Sequence, residues 1–309
     1  MEVRPLLSPE EIAANAGATV PFLRLPERGT VFAVRAMRLR QLAPGHALAP
    51  YLRFMALLAD AQQLALNAGP RILAPSEHHL DTSEREDQAP LDPRFLPRQP
   101  VWRNVLRDLV RELAARADEA QQAALQALLA QSDDFLEAQA SKLLASISLG
   151  LDMAAAPLIA AALQVYWTQL LLQLPKARLP VAGATSQCPC CASKPTSSIL
   201  RIGGDEGGYR YLHCALCASE WHVVRVKCTG CESTKGIHYL AVDGSRGTVK
   251  AECCDECGGY LKIIAMTLDP EADPVADDIG SLTLDLMVEE TGKHALGVNF
   301  FLLQADSVD

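Results

Sequence analysis

Eight cysteines stand in four C-x-x-C pairs, a spacing typical of metal-binding knuckles. The pairs are Cys188/Cys191, Cys214/Cys217, Cys228/Cys231 and Cys254/Cys257. Two such pairs bring four sulfurs to one ion, and both Zn²⁺ and a single iron accept a tetrahedron of thiolates. The spacing therefore predicts two tetracysteine sites holding two iron ions, or two zinc ions, and does not choose between the metals.

The last two pairs repeat the first two without a gap, at the constant offset that separates Cys188 from Cys228. Leu200 and Leu240 follow the same offset, as do two glycines of each copy. A fixed period of this kind indicates a duplicated supersecondary unit. Each ligand set is then closed within one repeat: Cys188, Cys191, Cys214 and Cys217 in the first, and Cys228, Cys231, Cys254 and Cys257 in the second.

Within each repeat the pattern predicts a knuckle, a strand, a glycine turn, a second strand, the second knuckle and a third strand. The predicted strands are residues 198–202, 209–212 and 221–226 in the first copy, and 237–242, 248–251 and 261–266 in the second. A hairpin across the turn, at 203–208 or 243–247, returns the second knuckle to the first. We expect rubredoxin-like or zinc-ribbon modules at 181–226 and 227–269, too small to fold without their metal.

Two other interpretations of the cysteines are weaker. Free buried cysteines seldom fall into four C-x-x-C pairs as closely spaced as those between Cys188 and Cys257. A thioredoxin-like redox site has one C-x-x-C at the start of a helix that follows a strand, and it does not recur four times.

Four further residues near the pairs are candidates for a supporting role. Cys190 and Cys253 fall at Gly230 and His213 in the other copy, so they lie outside the repeat. We favour spare thiols beside the metal over exchange ligands or reactive thiols of lowered pKa. His213 and His222 are expected to support or pack against complete tetracysteine sets, and they remain alternative ligands.

The rest of the chain must position these sites, and it divides chemically near Pro180, since all ten cysteines follow it. Apolar periodicity predicts helices at 51–66, 101–117, 120–130, 135–149 and 153–174, and Ser8 is a candidate helix N-cap. Residues 75–100, rich in proline and charge, are expected to form a long loop with His78 and His79 in solvent. The fold class is therefore α+β: an all-α domain at 1–180, then the two modules.

Residues 270–309 form the last predicted segment. Alternating acids and prolines at 269–274 mark a boundary, a short helix at 281–290 is capped by Gly292, and the apolar residues 298–303 are expected to pack back on a domain.

Charge and hydropathy exclude some classes of function. A formal net charge of −9 disfavours general electrostatic binding of nucleic acid, and tetrathiolate sites add negative charge to the nearly neutral region 181–268. Residues 153–174 carry no charge, but Pro157 and three glutamines interrupt them, which favours a buried helix over a membrane span. The first residues lack an apolar signal core, so we expect a cytoplasmic protein with reduced cysteines.

Several runs in the second half resemble the formate dehydrogenase accessory protein (FdhE) family. They are YRYLHCALCASEWH at 209–222, VVRVKC at 223–228, CESTKG at 231–236 and PVADD at 274–278. The resemblance is dense from Cys188 onward and looser over the helices. All eight repeated cysteines are present, whereas Cys190 departs from the family's C-P-x-C form and leaves Cys188 or Cys190 as the first ligand.

This resemblance implies a cytoplasmic maturation factor needed for active respiratory formate dehydrogenase. The implied partner is the catalytic subunit, which carries molybdopterin guanine dinucleotide and an iron–sulfur cluster, before its export. The family's C-x-x-C pairs are associated with iron. We therefore expect a metal-binding, chaperone-like protein that is not an enzyme and binds neither nucleic acid nor membrane.

Two alternatives to the accessory protein are retained. A tandem zinc ribbon that binds nucleic acid or the transcription machinery would be expected to carry a basic stripe with aromatics. A rubredoxin-like electron carrier or thiol oxidoreductase would need a pocket with a perturbed acid, base or nucleophile, and residues 1–180 present no such constellation.

Overall fold

The computed structural model describes residues 20–69, 72–183, 186–202 and 208–303. The candidate cap Ser8 and the glycine turn of the first repeat, apart from Gly208, lie outside the described residues. Seven α-helices precede the cysteines in this part of the chain: α1 (Val31–Leu42), α2 (Ala49–Ala68), α3 (Glu77–Arg85), α4 (Val101–Ala114), α5 (Glu119–Leu129), α6 (Asp133–Leu144) and α7 (Ala156–Gln173).

Helix α7 is the centre of the helical region. It is buried around its whole circumference and packs against α2, α4 and α6, as expected for a mostly apolar helix in the centre of a core. Trp167 of this helix is fully buried and donates its indole N–H to the Leu91 carbonyl at 2.9 Å. Among the described residues, no helix is long and apolar enough to span a bilayer.

The structure corrects the expected loop at 75–100, because α3 lies inside it. Ser76 caps this helix by accepting from the His79 amide at 3.2 Å, and Arg178 pairs with its acids Glu77 and Asp81. His79 is half-buried, and its Nε2 lies 3.0 Å from the Pro90 carbonyl. The expectation that both histidines lie in solvent is therefore wrong for His79.

The strands of both repeats belong to one sheet. They are β2 (Pro195–Arg201), β3 (Tyr209–Cys214) and β4 (Glu220–His222) in the first repeat, and β5 (Ile237–Leu240), β6 (Val249–Cys254) and β7 (Gly259–Ala265) in the second. The order is β1-β4-β3-β2-β7-β6-β5, where β1 is Leu23–Arg24. The third strand of the first repeat ends at His222, before the predicted end at 226, because the chain there turns toward the next knuckle.

The two repeats join through a parallel pairing of β2 with β7, with Ser198 opposite Ile263 and Leu200 opposite Ala265. A buried ion pair crosses the same junction. Arg210 of β3 donates to Glu252 of β6 at 2.7 Å, and the two side chains are 0% and 3% exposed. The duplicated units are thus fused edge to edge.

The segment at residues 270–303, called the strap below, joins the sheet to the helices. It contains α8 (Ala276–Gly280), α9 (Leu282–Glu289) and β8 (His294–Ala295), which pairs in parallel with β7. Phe300 and Phe301 then enter the core of the helical region, and the Tyr51 hydroxyl donates to the Phe301 carbonyl. The expectation that residues 298–303 pack back on a domain is confirmed.

Candidate metal centres

The structure brings the eight repeated cysteines together in two groups of four, and the grouping is that predicted from the repeat. Within each group the sulfurs all lie within 4.8 Å of one another. Across the first group the Cys188–Cys217 and Cys191–Cys214 sulfur distances are 3.6 and 3.4 Å. Across the second, the matching Cys228–Cys257 and Cys231–Cys254 distances are both 3.7 Å.

These separations fit a metal. Four sulfurs at ~2.3 Å from one ion in a tetrahedron are ~3.8 Å apart. The contact distances are close to that value, so each set needs little movement to close on zinc or a single iron. Four sulfurs also complete a tetrahedral shell, so they leave no open position of the kind a catalytic zinc keeps for water.

Local backbone geometry explains how the sequence builds the knuckles. The Cys188 amide donates to the Ser193 carbonyl at 2.8 Å, and Cys228 repeats this bond to Ser233 at the same distance. The residue after the second cysteine of the pair is left-handed in both copies, with φ of 58° at Ala192 and 62° at Glu232. Such strain outside glycine persists where the surroundings hold the turn closed.

The first site lies inside the core of the helical region. Its four cysteines are at most 1% exposed. Helix α7 contacts the second knuckle directly, because Gln164 donates to the Ala215 carbonyl at 2.8 Å. Ser219 lies beneath the site, with its hydroxyl 3.2 Å from the sulfurs of both Cys188 and Cys217.

The second site lies near the surface. Cys228 and Cys254 are buried, but Cys257 is partly exposed and Cys231 is exposed. The two residues between Cys254 and Cys257 are the exposed acids Asp255 and Glu256, where the first repeat has the buried pair Ala215 and Leu216.

The strap covers one side of this second site. A Cβ built on Gly230 or Gly259 would lie 2.8 or 2.5 Å from a methyl carbon of Leu296, so both glycines are needed for Leu296 to lie against the knuckles. Nearby, Lys293 pairs with Asp255 at 2.6 Å.

Metal binding must displace protons from most of these thiols. Burial raises the pKa of the Cys191 and Cys214 thiols well above the usual value. Burial would do the same at Cys188, but hydrogen bonds from the neighbouring thiols hold its pKa well below that value. At the second site burial raises the pKa of Cys228 to about 12, while the Ser233 amide lowers that of Cys231. A bound cation favours the thiolates, so metal affinity falls as the pH falls.

The four supporting candidates lie outside both groups. Cys190 is buried beside the first site, where interaction with the Cys188 thiol and burial raise its pKa well above the usual value. Cys253 points to the opposite face of β6 from Cys254 and belongs to a small apolar cluster with Ala251, Tyr260, Leu284 and Val288.

The two histidines have other neighbours. His213 places its Nδ1 3.4 Å from the Glu220 carboxylate, and His222 packs edge-on against Tyr211.

Sequence reasoning missed two residues that shape the sites. Ser219 touches two sulfurs of the first set, and Leu296 lies on the knuckles of the second. The repeat carried a signal for the first, because Ser219 corresponds to Gly259 and the two copies differ there. No such signal pointed to Leu296, because it lies outside the repeats and reaches the site only where the strap folds back onto the sheet.

Comparison with known proteins agrees with this arrangement over the whole chain. Three family models match in succession: FdhE, N-terminal, at residues 20–183, FdhE, central domain, at 187–225, and FdhE, C-terminal domain, at 226–302. "Protein FdhE" of Salmonella dublin and of Salmonella enteritidis is 38% identical over 310 residues, covering 99% of each chain.

A solved structure agrees as well. The crystal structure of the FdhE protein from Pseudomonas aeruginosa superposes with a TM-score of 0.84 at 37% identity, covering 92% of this chain and 100% of that one. The matches span the helices, both cysteine repeats and the strap, and the resemblance noted in the sequence is confirmed: this chain belongs to the FdhE family.

Proposed function

We propose that this protein is a cytoplasmic accessory factor in the maturation of formate dehydrogenase. It holds one metal ion in each tetracysteine site and binds the catalytic subunit of that enzyme before export. The observation that carries the proposal is the pair of closed tetrathiolate sets within a chain of the FdhE family.

Binding, rather than catalysis, suits the geometry of the sites. The four sulfurs of each set fill a tetrahedral shell, so an ion held there supplies rigidity or an electron instead of a Lewis-acid position for substrate. Single-iron tetrathiolate sites transfer electrons and zinc sites do not, since Zn²⁺ has no redox chemistry. A redox role for the protein therefore depends on iron.

The metal modules are the proposed contact with the client. Metal-fixed knuckles hold their loops rigid, which reduces the entropy lost when an interface forms. The second module is the better placed of the two, because its knuckle residues Asp255 and Glu256 and its ligand Cys231 are exposed, while those of the first repeat are buried.

Co-purification tests this proposal. Tagged protein is isolated from cytoplasm with the catalytic subunit co-expressed, and metal content is measured on the same sample. We expect the subunit to accompany the wild type and to be lost with Cys254→Ser. Client binding that persists after the second metal is lost would move the interface to the helices or the first module.

A DNA mobility-shift measurement at physiological salt separates the alternative function. The formal charge of −9 predicts no shift at concentrations where the client binds. Tight, salt-sensitive DNA binding without client binding would favour the tandem zinc ribbon.

A further inference from the structure

The two tetracysteine sites share their ligands and their turns but differ in access from solvent. In the first, all four cysteines are at most 1% exposed. In the second, Cys231 is exposed while its neighbours Cys228 and Cys254 are each only 2% exposed. One ligand of the second set therefore faces solvent, and the other three are at least partly covered.

The residues around the sulfurs reinforce this difference. Helix α7 closes the first site through Gln164 and Thr168, which contact the carbonyls of Ala215 and Cys217. In the part of the chain that the structure describes, no helix makes the matching contacts with Asp255 and Cys257 of the second repeat. Asp255 instead forms a surface ion pair with Lys293.

The strap covers one side of the second site. Leu296 lies against Gly230 and Gly259, and these flank Cys231 and Cys257 in the sequence. Leu296 is held in place because its amide donates to the Tyr260 carbonyl at 2.8 Å. Cys231 is the one ligand of the second set that is exposed, so it is the ligand with an open approach.

We propose that the second centre is an exchange site, at which an external thiol takes the place of Cys231 and receives or delivers the metal, while the first centre keeps its ion. The incoming thiolate forms a bond to the metal as the bond from the metal to the Cys231 sulfur breaks, and the other three cysteines are then displaced in the same way before the ion leaves. The proton of each incoming thiol passes to the cysteine that it displaces, and neither metal nor sulfur changes oxidation state. The partner is a thiol-bearing metal donor or acceptor, recognised by its sulfur.

The inference rests on the metal occupancy proposed above and is independent of client binding. It predicts different rate laws for the two sites. Displacement at an open ligand is bimolecular, so release from the second site rises in proportion to thiol concentration. Release from the first requires the core to open, so its rate is slow and independent of the thiol.

The experiment uses the full chain loaded with two Zn²⁺ ions, dithiothreitol as competitor and a chromogenic zinc indicator. We expect one equivalent to leave at a rate linear in dithiothreitol and the other at least about 100-fold more slowly. The helical signal in circular dichroism should stay unchanged while the first equivalent leaves, because residues 227–269 contain strands and no helix. Equal rates for both ions, or a fast phase independent of thiol, would overturn the proposal.

Mass spectrometry assigns the fast ion without any substitution. An alkylating reagent added after the first equivalent has left should label Cys228, Cys231, Cys254 and Cys257 and spare the first set. Labelling of the first set at this stage would refute the assignment.

Leu296→Ala provides a second test, and it leaves all eight metal-ligand cysteines in place. It should speed the fast phase several-fold by uncovering the other side of the site, without changing the slow phase. A slow phase that speeds up together with the fast phase would contradict the assignment of the two phases to separate sites. Loss of client binding in the co-purification, with these rates intact, would count against the accessory function alone.

Discussion

The two cysteine repeats form the same metal geometry in opposite surroundings. The first repeat belongs to the main core, which also contains the buried residues of α2, α4 and α7. The second has a separate, smaller cluster of five buried residues, among them Cys253 and Tyr260. Ligand spacing thus fixes the site, while the residues between the ligands decide how exposed the site is.

Polar contacts supplement the small core of the second repeat. Lys262 of β7 is buried and pairs with Asp285 of α9 at 2.6 Å and with Asp278 at 3.0 Å. Tyr260 also bonds to Asp285, at 3.0 Å. Burying a charge is costly unless it is paired and hydrogen-bonded, so this network holds the strap to the sheet in one register. With metal bound at both sites as proposed, the second repeat depends on its metal and this network, whereas the first depends on its metal and the core.

The largest expected effect on stability comes from removing one metal ligand from each repeat. The two losses distinguish the repeats. Cys214→Ser should release one metal, unfold its module and lower the free energy of global unfolding by on the order of 5 kcal/mol or more, because that module is continuous with the helical core. Cys254→Ser, at the matching position, should release one metal and unfold only 227–269 with β8. Metal analysis, thermal unfolding and hydrogen exchange measure this, and equal destabilisation of the helices by both would remove the distinction.

The next effect concerns the ion pair that joins the repeats. Arg210→Met leaves Glu252 buried without its guanidinium and should cost about 3–5 kcal/mol. Lys250, at the position of Arg210 in the other repeat, is exposed, and Lys250→Met should change stability by less than about 0.5 kcal/mol. Denaturant unfolding with both metals bound measures these values.

A double variant tests the cause of that loss. Arg210→Met with Glu252→Leu removes both charges and should recover most of the stability, since an apolar pair avoids the uncompensated charge. If the double variant is no more stable than Arg210→Met, the loss comes from packing or from the bond of Arg210 to Ser198.

A smaller effect is dependent on pH and is specific to the first repeat. Burial would raise the pKa of Glu220, but hydrogen bonding from His213 and the charge of Arg201 lower it to about 2. A depressed carboxyl pKa stabilises the fold above the unfolded value of 4.5 and loses that contribution as the pH falls toward 2. Glu220→Gln should therefore cost about 3 kcal/mol at pH 7.

Stability measured as a function of pH tests this prediction. The stability difference between wild type and Glu220→Gln should shrink as the pH falls below 4.5. Acid also releases metal from thiolates, so the two proteins are compared at each pH with their metal content measured. The exposed carboxyl of Glu256 in the second repeat serves as the control, because Glu256→Gln should leave the profile unchanged. A constant difference across the range would mean that Glu220 acts through packing alone.

The two metal sites could be predicted from the sequence because the residues that define each site lie close together in the chain. A C-x-x-C spacing fixes two sulfurs, and the constant offset between the repeats pairs the knuckles without any tertiary knowledge. The difference in burial was also present in the sequence, as Ala215 and Leu216 against Asp255 and Glu256, and a comparison of the residues between the cysteines would have predicted it.

What the sequence could not supply depends on distant contacts. The fusion of the repeats into one sheet pairs Ser198 with Ile263, and no periodicity encodes that register. Helix α1 was missed because Arg35 and Arg38 lie on its core face, where an apolar stripe is expected. Arg38 is buried only because Asp277 and Asp269, far along the chain, each lie 2.7 Å from it.

The smallest expected effect concerns the two cysteines outside the repeat. Cys190 adjoins the first site, where the Cys188 thiol contributes to its raised pKa, whereas Cys253 faces away from the second site into an apolar cluster. Because each tetracysteine set is complete without them, Cys190→Ala and Cys253→Ala should both retain two metals. Each should cost about 1 kcal/mol through lost packing.

The comparison is informative because the two thiols differ chiefly in their distance from a site. If Cys190 replaces Cys188 as a ligand, Cys190→Ala lowers the metal count to one while Cys253→Ala does not, and Cys188→Ala then retains both metals. If Cys190 only packs, Cys188→Ala loses the first metal and Cys190→Ala keeps it. Metal analysis of these three variants decides between the two assignments, and the sulfur geometry, with Cys188 3.6 Å from Cys217, favours Cys188.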